Sequence, residues 1–451
     1  MKAFLRIVCL LAMASAVLAK NGAYKMTAHG SADRGPQRSM KFARGSCVQC
    51  HSGHGSHEPG NPRLGLFAPN DNELCFVCHA SASEDGLFPG RGLWMQATHA
   101  LSQRVAGGGS DPRRPAMANA CVNCHDPHGV KDQNGVIPAM LHAREPEVCL
   151  ACHDGSRGAD IRSETLASVA HGTGARGAHD PHEGSDVGGR NQTAASNRHV
   201  SCSDCHNVHR AAPDRIPVTA PEASARLSGV SRVRVLNGAA GSVPAYVFVP
   251  AGDLETAQEF EICFKCHSSF IRQAPQQPNL AQLTNPANAS FHPIQAEGKN
   301  RNIHPDAFVS GWDARSRVSC TDCHGSENAR VRGPHGSRFE FLLKKQATAS
   351  TSRQSMQRDN LCFDCHAWAV YGDATSAAAT LAASRFSAHA LHVDAQRVPC
   401  YACHETHGSA RNAALIATGR GMIVSYTQTP AGGSCNSTCH AQKSYAASYS
   451  R

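Results

Sequence analysis

The chain has little of what usually builds an apolar protein core. Aromatic residues make up only 6% of its 451 positions, whereas Gly and Pro contribute 39 and 24. After residue 18, no apolar run approaches the length of a membrane-spanning helix. The composition therefore predicts a mature chain without a transmembrane segment, and it argues against a large side-chain core of ordinary helices and sheets.

Only one cysteine, Cys9, lies outside a recurrent motif, so no thiols remain for a disulfide framework. It falls in an apolar run, residues 7–18, that follows Lys2 and Arg6. This pattern is typical of a secretory signal peptide, predicted here as residues 1–19. We therefore expect export to the periplasm, or to the outer membrane and cell exterior.

Nine copies of Cys-x-x-Cys-His, and a tenth with one extra residue between its cysteines, contain all the other thiols. The motif cysteines are Cys47, Cys50, Cys75, Cys78, Cys121, Cys124, Cys149, Cys152, Cys202, Cys205, Cys263, Cys266, Cys320, Cys323, Cys362, Cys365, Cys400, Cys403, Cys435 and Cys439. The motif histidines are His51, His79, His125, His153, His206, His267, His324, His366, His404 and His440. Structural zinc or disulfides would not require a His after every second Cys.

The motif instead indicates covalent attachment of haem c, with ten haems per chain. Two thiols reach the vinyl groups of one porphyrin, and the following His is the proximal iron ligand. The bare sequence carries a formal charge of +9. Since each haem adds propionates, we interpret this excess as a counter-charge to the cofactors and predict no nucleic-acid partner.

The motifs fall into five successive pairs. Cys47 and Cys75 are 28 residues apart, as are Cys121 and Cys149, and the later spacings are longer. We define units 1 to 5 as residues 20–80, 81–155, 156–270, 271–370 and 371–451. The predicted fold is mostly irregular, with short α-helices around a haem-packed core and a small β-hairpin near 230–249. That hairpin is either a docking arm or a cover for a haem edge.

Units 1, 2 and 5 carry the clearest internal pattern, as in CHDPH128G and CHETH407G. The sequence resembles the doubled CXXCH family of multihaem cytochromes, whose units read CxxCHxPHG, a Leu-containing spacer, then LCxxCH. It departs from that pattern in the insert before His335, the long third spacer and the tenth motif. The resemblance implies stacked haem pairs, bis-histidine ligation and electron transfer.

Distal ligands are predicted in two sets. The resemblance points to the His that follows each first motif, and these are His54, His128, His209, His335 and His407. A second set lies upstream in each unit and comprises His29, His99, His179, His292 and His392. Five other histidines compete for the upstream positions, namely His171, His182, His199, His304 and His389.

The sequence thus predicts an exported decahaem cytochrome that conducts electrons and has no catalytic residues. Its partners would be other redox proteins, such as cytochromes, quinol-linked proteins or outer-membrane components. One alternative is a multihaem reductase or oxidase of nitrogen or sulfur compounds, which needs an open haem site. Another is a homopolymer, that is, a filament-forming extracellular cytochrome.

Overall fold

A computed structural model describes residues 23–51, 65–102, 120–171, 200–270, 277–347, 353, 355–377, 383–419 and 421–447. These residues are mostly irregular, with short helices and sheets of two or three strands, and the predicted fold class is confirmed. The predicted signal peptide, residues 1–19, lies outside the described residues. Within the described ranges, no helix has both the length and the apolarity to cross a bilayer.

The described α-helices are each four or five residues long. They are α1 (Asn72–Phe76), α2 (Arg91–Trp94), α3 (Glu147–Leu150), α4 (Ile161–Thr165), α5 (Glu259–Cys263), α6 (Leu280–Leu283), α7 (Cys320–Cys323) and α8 (Trp368–Tyr371). Side-chain caps help to start several of them. Asp71 accepts from the backbone N–H of Glu73 at α1, and Asp160 accepts from that of Ser163 at α4.

Single turns of 3₁₀-helix are as frequent as α-helix. They span Cys47–Gln49, Cys121–Asn123, Pro138–Met140, Cys202–Asp204, Ala225–Leu227, Pro305–Ala307, Glu340–Leu342, Leu361–Asp364, Cys400–Ala402 and Ala413–Leu415, and a π-helix spans Leu391–Ala395. Many of these turns contain a motif cysteine, so the attachment sequences themselves form much of the helical structure.

The strands form small antiparallel sheets. They are β1 (Lys131–Asp132), β2 (Gly135–Val136), β3 (Val169–Ala170), β4 (Arg232–Leu236), β5 (Ala245–Val249), β6 (Ser290–Phe291), β7 (Gly336–Ser337), β8 (Gly408–Ser409), β9 (Ile423–Thr429), β10 (Gly432–Ser437) and β11 (Lys443–Ala446). The strands pair as β1–β2, β3–β7, β4–β5 and β6–β8, and β10 lies between β9 and β11.

The hairpin predicted near 230–249 is confirmed as β4 and β5, which pair from Arg232 opposite Val249 to Leu236 opposite Ala245. Its connecting loop, 237–244, is fastened to unit 4. The side chain of Asn285 donates to the carbonyl oxygens of Gly238 and Ala239, and Asn288 accepts from the N–H of Gly241. The hairpin therefore packs into the junction of units 3 and 4.

Buried apolar side chains form three small clusters among the described residues. Trp94 and Phe76 centre the first, Val233 and Phe264 the second, and Phe363 the third. Each cluster lies beside a haem-attachment motif, since Phe76, Phe264 and Phe363 all follow the first Cys of a second motif. The described apolar clusters are therefore small and local to the motifs. We expect the cofactors to supply the rest of the core.

We therefore expect the chain made without haem attachment to be largely disordered, because clusters of this size do not offset the conformational entropy of more than 400 residues. Far-ultraviolet circular dichroism during heating of apoprotein produced without its signal peptide measures this. A compact apoprotein with a cooperative thermal transition would contradict the expectation.

Candidate haem-binding sites

Nine of the ten motifs close one helical turn in the same way. The backbone N–H of the motif His donates to the carbonyl oxygen of the first Cys, with N–O distances between 2.8 and 3.0 Å. These turns begin at Cys47, Cys75, Cys121, Cys149, Cys202, Cys263, Cys320, Cys362 and Cys400. Because one turn brings residues three and four positions apart to the same side, each turn can present two sulfurs and an imidazole to one porphyrin.

The tenth motif is built on a strand. Cys435 belongs to β10, and the register between β10 and β9 shifts at Asn436 and Ser437. The backbone N–H groups of Cys439 and His440 both donate to the Ser437 hydroxyl, at 3.2 and 3.3 Å. The extra residue is therefore accommodated by a β-bulge, a device that re-aims the side chains that follow it.

A second imidazole faces nearly every motif His. The ring centroids of these histidine pairs are 5.9 to 6.4 Å apart. The pairs are His51–His128, His79–His29, His125–His209, His153–His99, His206–His335, His267–His171, His324–His407, His404–His389 and His440–His392.

His366 is the remaining motif histidine. Burial lowers its pKa to about 4, and His292 is the strongest of the charged neighbours that act in the same direction. His292 is itself buried, which lowers its pKa too. A second histidine ring thus faces nine of the ten motif histidines, and His366 has His292 as a buried histidine neighbour.

The separation within these pairs fits one metal ion held between two nitrogens. A metal–imidazole bond is about 2 Å long, and the distance from each bonding nitrogen to its own ring centre accounts for the remainder. The residues present therefore fit haem c with two axial histidines.

Backbone carbonyls orient the motif histidines. The Nδ1 atoms of His125, His324 and His404 lie 2.8, 2.7 and 2.9 Å from the carbonyl oxygens of Ala139, Phe341 and Ala414. A carbonyl oxygen only accepts, so Nδ1 carries the proton and the Nε2 lone pair is left for a metal. The hydrogen bond fixes both the tautomer and the direction of the ring.

The accepting carbonyls belong to strained loops. Ala139, Phe341 and Ala414 have φ values of 52°, 60° and 53°, and the residue after each is also left-handed. A non-glycine residue in this region costs about 1 kcal/mol or more. Two consecutive left-handed residues recur at corresponding places in units 2, 4 and 5. This recurrence indicates that the strained conformation serves to position the carbonyl group that binds the histidine.

The facing histidines are oriented in the same way. The Nδ1 atoms of His171, His209 and His392 lie 2.7, 3.1 and 2.7 Å from the carbonyl oxygens of Pro334, Leu87 and Ala388. Burial lowers the pKa of His209 and His335 to about 4 and that of His389 to about 3. These imidazoles are therefore neutral near pH 7, which is the form that binds iron.

Two-residue strand pairs deliver the facing histidines across unit boundaries. His171 directly follows β3, and His335 directly precedes its partner β7. His292 and His407 have the same relation to β6 and β8, and the N–H of His292 donates to the carbonyl oxygen of His407. Each strand pair thus holds one histidine for each of the two sites of a single unit.

Contacts between motif cysteines alternate along the sequence, with second cysteines close together within a unit and first cysteines close together between units. Within units, the second cysteines are close enough for their charges to interact, in the pairs Cys50–Cys78, Cys124–Cys152, Cys205–Cys266, Cys323–Cys365 and Cys403–Cys439. Between units, the first cysteines are close enough for their thiols to influence one another, in the pairs Cys75–Cys121, Cys149–Cys202, Cys263–Cys320 and Cys362–Cys400. Every candidate site therefore adjoins the next one along the sequence.

Buried carboxylates fasten two of these junctions. Glu259, at 8% exposure, accepts from the backbone N–H and the hydroxyl of Thr321 at 2.9 and 2.6 Å. Glu145 accepts from the Ser203 hydroxyl at 3.1 Å. Each acid stands four residues before a second motif, and its donor directly follows the first Cys of the next unit. Burial raises the pKa of both carboxyl groups, although these hydrogen bonds oppose the rise.

Eight of the ten residues predicted as distal ligands are described, and each lies beside a motif His. The other two, His54 and His179, lie outside the described residues. In unit 3 it is His171 that faces a motif His, and in unit 5 His389 does so together with His392. His171 directly follows Val169 and Ala170, which form strand β3. This position indicates a facing histidine only when the partner strand β7 is known, because the pairing fixes where His171 lies.

The doubled CXXCH motif family matches residues 40–84, 114–158 and 314–370. The chain is also 30% identical over 394 residues to the multiheme cytochrome MtrA of Shewanella baltica, covering 84% of this chain and 79% of MtrA. This chain belongs to the multihaem c-type cytochromes. This cytochrome is also 22% identical over 232 residues to the C-type polyheme cytochrome OmcB of Geobacter sulfurreducens. The match covers 46% of this chain. That match spans only about a quarter of OmcB, 26% of its length. No solved structure matches the chain.

We expect intact-protein mass spectrometry of the matured cytochrome to show the polypeptide plus ten haem masses, because ten motifs contain all the thiols after residue 19. The double substitution Cys435→Ala and Cys439→Ala is the control and should remove one haem mass. Eight or fewer haems in the unsubstituted protein would contradict the assignment.

Glu259→Gln tests the buried carboxylate. A carboxyl whose folded pKa is raised contributes most to stability below its unfolded value of 4.5, and it loses that contribution as pH rises through the folded pKa. Gln stays neutral, so the stability of the variant relative to the parent should increase from pH 4 to 7. Each tenfold change of the acid dissociation constant on folding corresponds to about 1.4 kcal/mol. Thermal unfolding followed by Soret circular dichroism measures this.

The control for that experiment is Glu297→Gln, which removes an exposed carboxylate. A Glu259→Gln variant whose stability relative to the parent does not change with pH would show that the buried carboxyl has no raised pKa.

Proposed function

We propose that this cytochrome is an exported decahaem electron conductor in which every iron has two histidine ligands. The observation that carries the proposal is the second histidine ring that faces nine of the ten motif histidines, with His292 near the tenth. On this assignment the distal ligands are His29, His99, His128, His171, His209, His292, His335, His389, His392 and His407. His54 and His179 then have no iron to bind.

Haem c supplies one-electron redox chemistry at each site when bound. The chain's own contribution is to hold two neutral imidazoles on opposite sides, with rings fixed by carbonyl groups such as those of Ala139 and Pro334. Because both ligands are already in place, little rearrangement accompanies a change of oxidation state. Such sites favour fast electron transfer over binding of a substrate.

We further propose that the sites form one chain in sequence order, from the Cys47 site to the Cys435 site. The alternating cysteine contacts support this order, because they join each site to the next both within units and between them. Each contact brings together the edges at which two porphyrins would be attached. The polypeptide between the sites then acts as a scaffold for a continuous conductor.

The proposed partners are other redox proteins that meet the cytochrome where its attachment sites are accessible. Cys47 in the first site and Cys439 in the last are exposed, as are Cys78 and Cys323 within the chain. Export to the periplasm or the outer membrane suits this role, because electrons must then pass between separate proteins. The relatives carry names of cytochromes, which agrees with an electron carrier.

A reductase or oxidase of nitrogen or sulfur compounds is the competing function. It would require one iron with an open distal position. All ten motif histidines lie in the described residues. A second histidine ring faces nine of them, and His292 is near His366. Assembly into a filament has no supporting observation among the described residues.

The test is carbon monoxide binding to the fully reduced cytochrome. We expect almost no change in the Soret band, and only low-spin signals in electron paramagnetic resonance of the oxidised form, because each iron already has two ligands. His128→Ala and His407→Ala should each create about one high-spin haem and about one equivalent of carbon monoxide binding.

His142→Ala is the matched control, because the His142 ring bonds the backbone carbonyl of Val122 and no ring pair of His142 with a motif His is found among the described residues. It should leave both spectra unchanged. Rapid carbon monoxide binding by the unsubstituted protein, with turnover of nitrite, hydroxylamine or sulfite, would instead establish the enzyme.

A further inference from the structure

Lys265 occupies an unusual place for a cation. It stands between the two cysteines of the second motif of unit 3, and its residue is only 8% exposed. Its Nζ donates to the carbonyl oxygen of Asp204 at 2.7 Å and to the Ser231 hydroxyl at 3.0 Å. Since Asp204 lies between the cysteines of the first motif, the lysine joins the two attachment turns of this unit.

Both acceptors of Lys265 are neutral. No ion pair of its Nζ with a carboxylate is found among the described residues. The carboxylate of Asp204 itself accepts from the backbone N–H of Ser201 at 2.6 Å. A buried ammonium held by neutral oxygens is costly, because burial removes its hydration and no opposite charge replaces it.

The neighbouring Arg232 shows how this chain normally treats a buried cation. Arg232 is 2% exposed, and its guanidinium lies 2.7 Å from Asp253 and 3.1 Å from Glu261. With Glu255 at 3.5 Å, three carboxylates therefore balance that charge within the same unit. Lys265 differs, because no carboxylate lies within ion-pair distance of its Nζ among the described residues.

The charge reaches both attachment sites of unit 3. The Cys205 and Cys266 sulfurs belong to the two turns that the Lys265 side chain joins, and the Asp204 carboxylate is a second charged group near both sulfurs. These sulfurs mark where the thioether bonds to the fifth and sixth haems would form. The ammonium thus lies close to both cofactors of the central unit.

Corresponding positions in other second motifs lack this charge. They hold Val77 in unit 1, Ala151 in unit 2 and Asp364 in unit 4. Asp364 forms an ion pair with Lys345, and together with Asp322 it raises the pKa of Cys365, after burial as the main cause. Units 3 and 4 therefore place opposite charges at the same point of the motif.

We propose that Lys265 sets the reduction potentials of the fifth and sixth haems above those of the adjacent units. Each of these irons gains one electron from a low-potential donor and passes from ferric to ferrous, and no bond is made or broken. The fixed positive charge favours the more negative, reduced state of both cofactors. Electrons entering the chain would then rest preferentially at its centre. This inference rests on the proposed function.

Lys265→Met tests the proposal by spectroelectrochemical titration of the matured cytochrome with dithionite and ferricyanide. We expect two of the ten haems to become at least tenfold harder to reduce, which is 59 mV for a one-electron couple. Lys265→Arg, which keeps the charge, should return the titration curve toward that of the parent. Lys299→Met is the matched control, because Lys299 is exposed and also donates to a backbone carbonyl.

Haem content by mass and the low-spin spectrum are measured on every variant. If Lys265→Met loses haem, Lys265→Gln replaces it, since an amide can still donate to the Asp204 carbonyl. A titration curve identical to the parent, with ten haems present, overturns the inference while leaving the electron-conductor assignment intact. Carbon monoxide binding by the unsubstituted protein would overturn that assignment independently of the potentials.

Discussion

The structure depends on one distance, the separation of about 6 Å between the ring centroids of two facing histidines. At this separation both rings must point Nε2 toward the space between them. The motif turn fixes one ring through the hydrogen bond from its His N–H to the first Cys. The opposite ring comes from a distant segment, so the backbone must bring that segment to a defined place. The two-residue strand pairs β3–β7 and β6–β8 do this with few residues, and the left-handed loops supply the carbonyl groups that orient the motif histidines.

The attachment sites could be predicted from sequence because their geometry is local. A single helical turn contains both thiols and the histidine, so spacing alone identifies it, and the hairpin at 232–249 was likewise visible as two β-branched runs. The facing histidines depend on contacts between units. The His after a first motif, such as His128, lies against His51 of the preceding unit, whereas the same pattern in a single repeat suggests a ligand within its own unit.

The same argument applies to His171 and His389, which the sequence predicts only as competitors for the upstream positions. His171 faces His267 because the pairing of β3 with β7 fixes its position, and His179 lies outside the described residues. His389 faces His404 from a segment of the same unit. Burial and backbone hydrogen bonds decide these cases, and neither is readable from residue spacing alone.

Pairing of histidine rings across successive units limits how such a chain can be lengthened or shortened. A chain cut after unit 2 would keep every residue of that unit but would lose His209. The His125 ring would then have no facing histidine. Within unit 5, His389 and His392 lie three residues apart and face both motif histidines of that unit. A gene duplication that inserted a complete internal unit would keep a facing histidine at every motif histidine around it. Division of the chain between two units would instead separate histidine pairs such as His51–His128 and His125–His209.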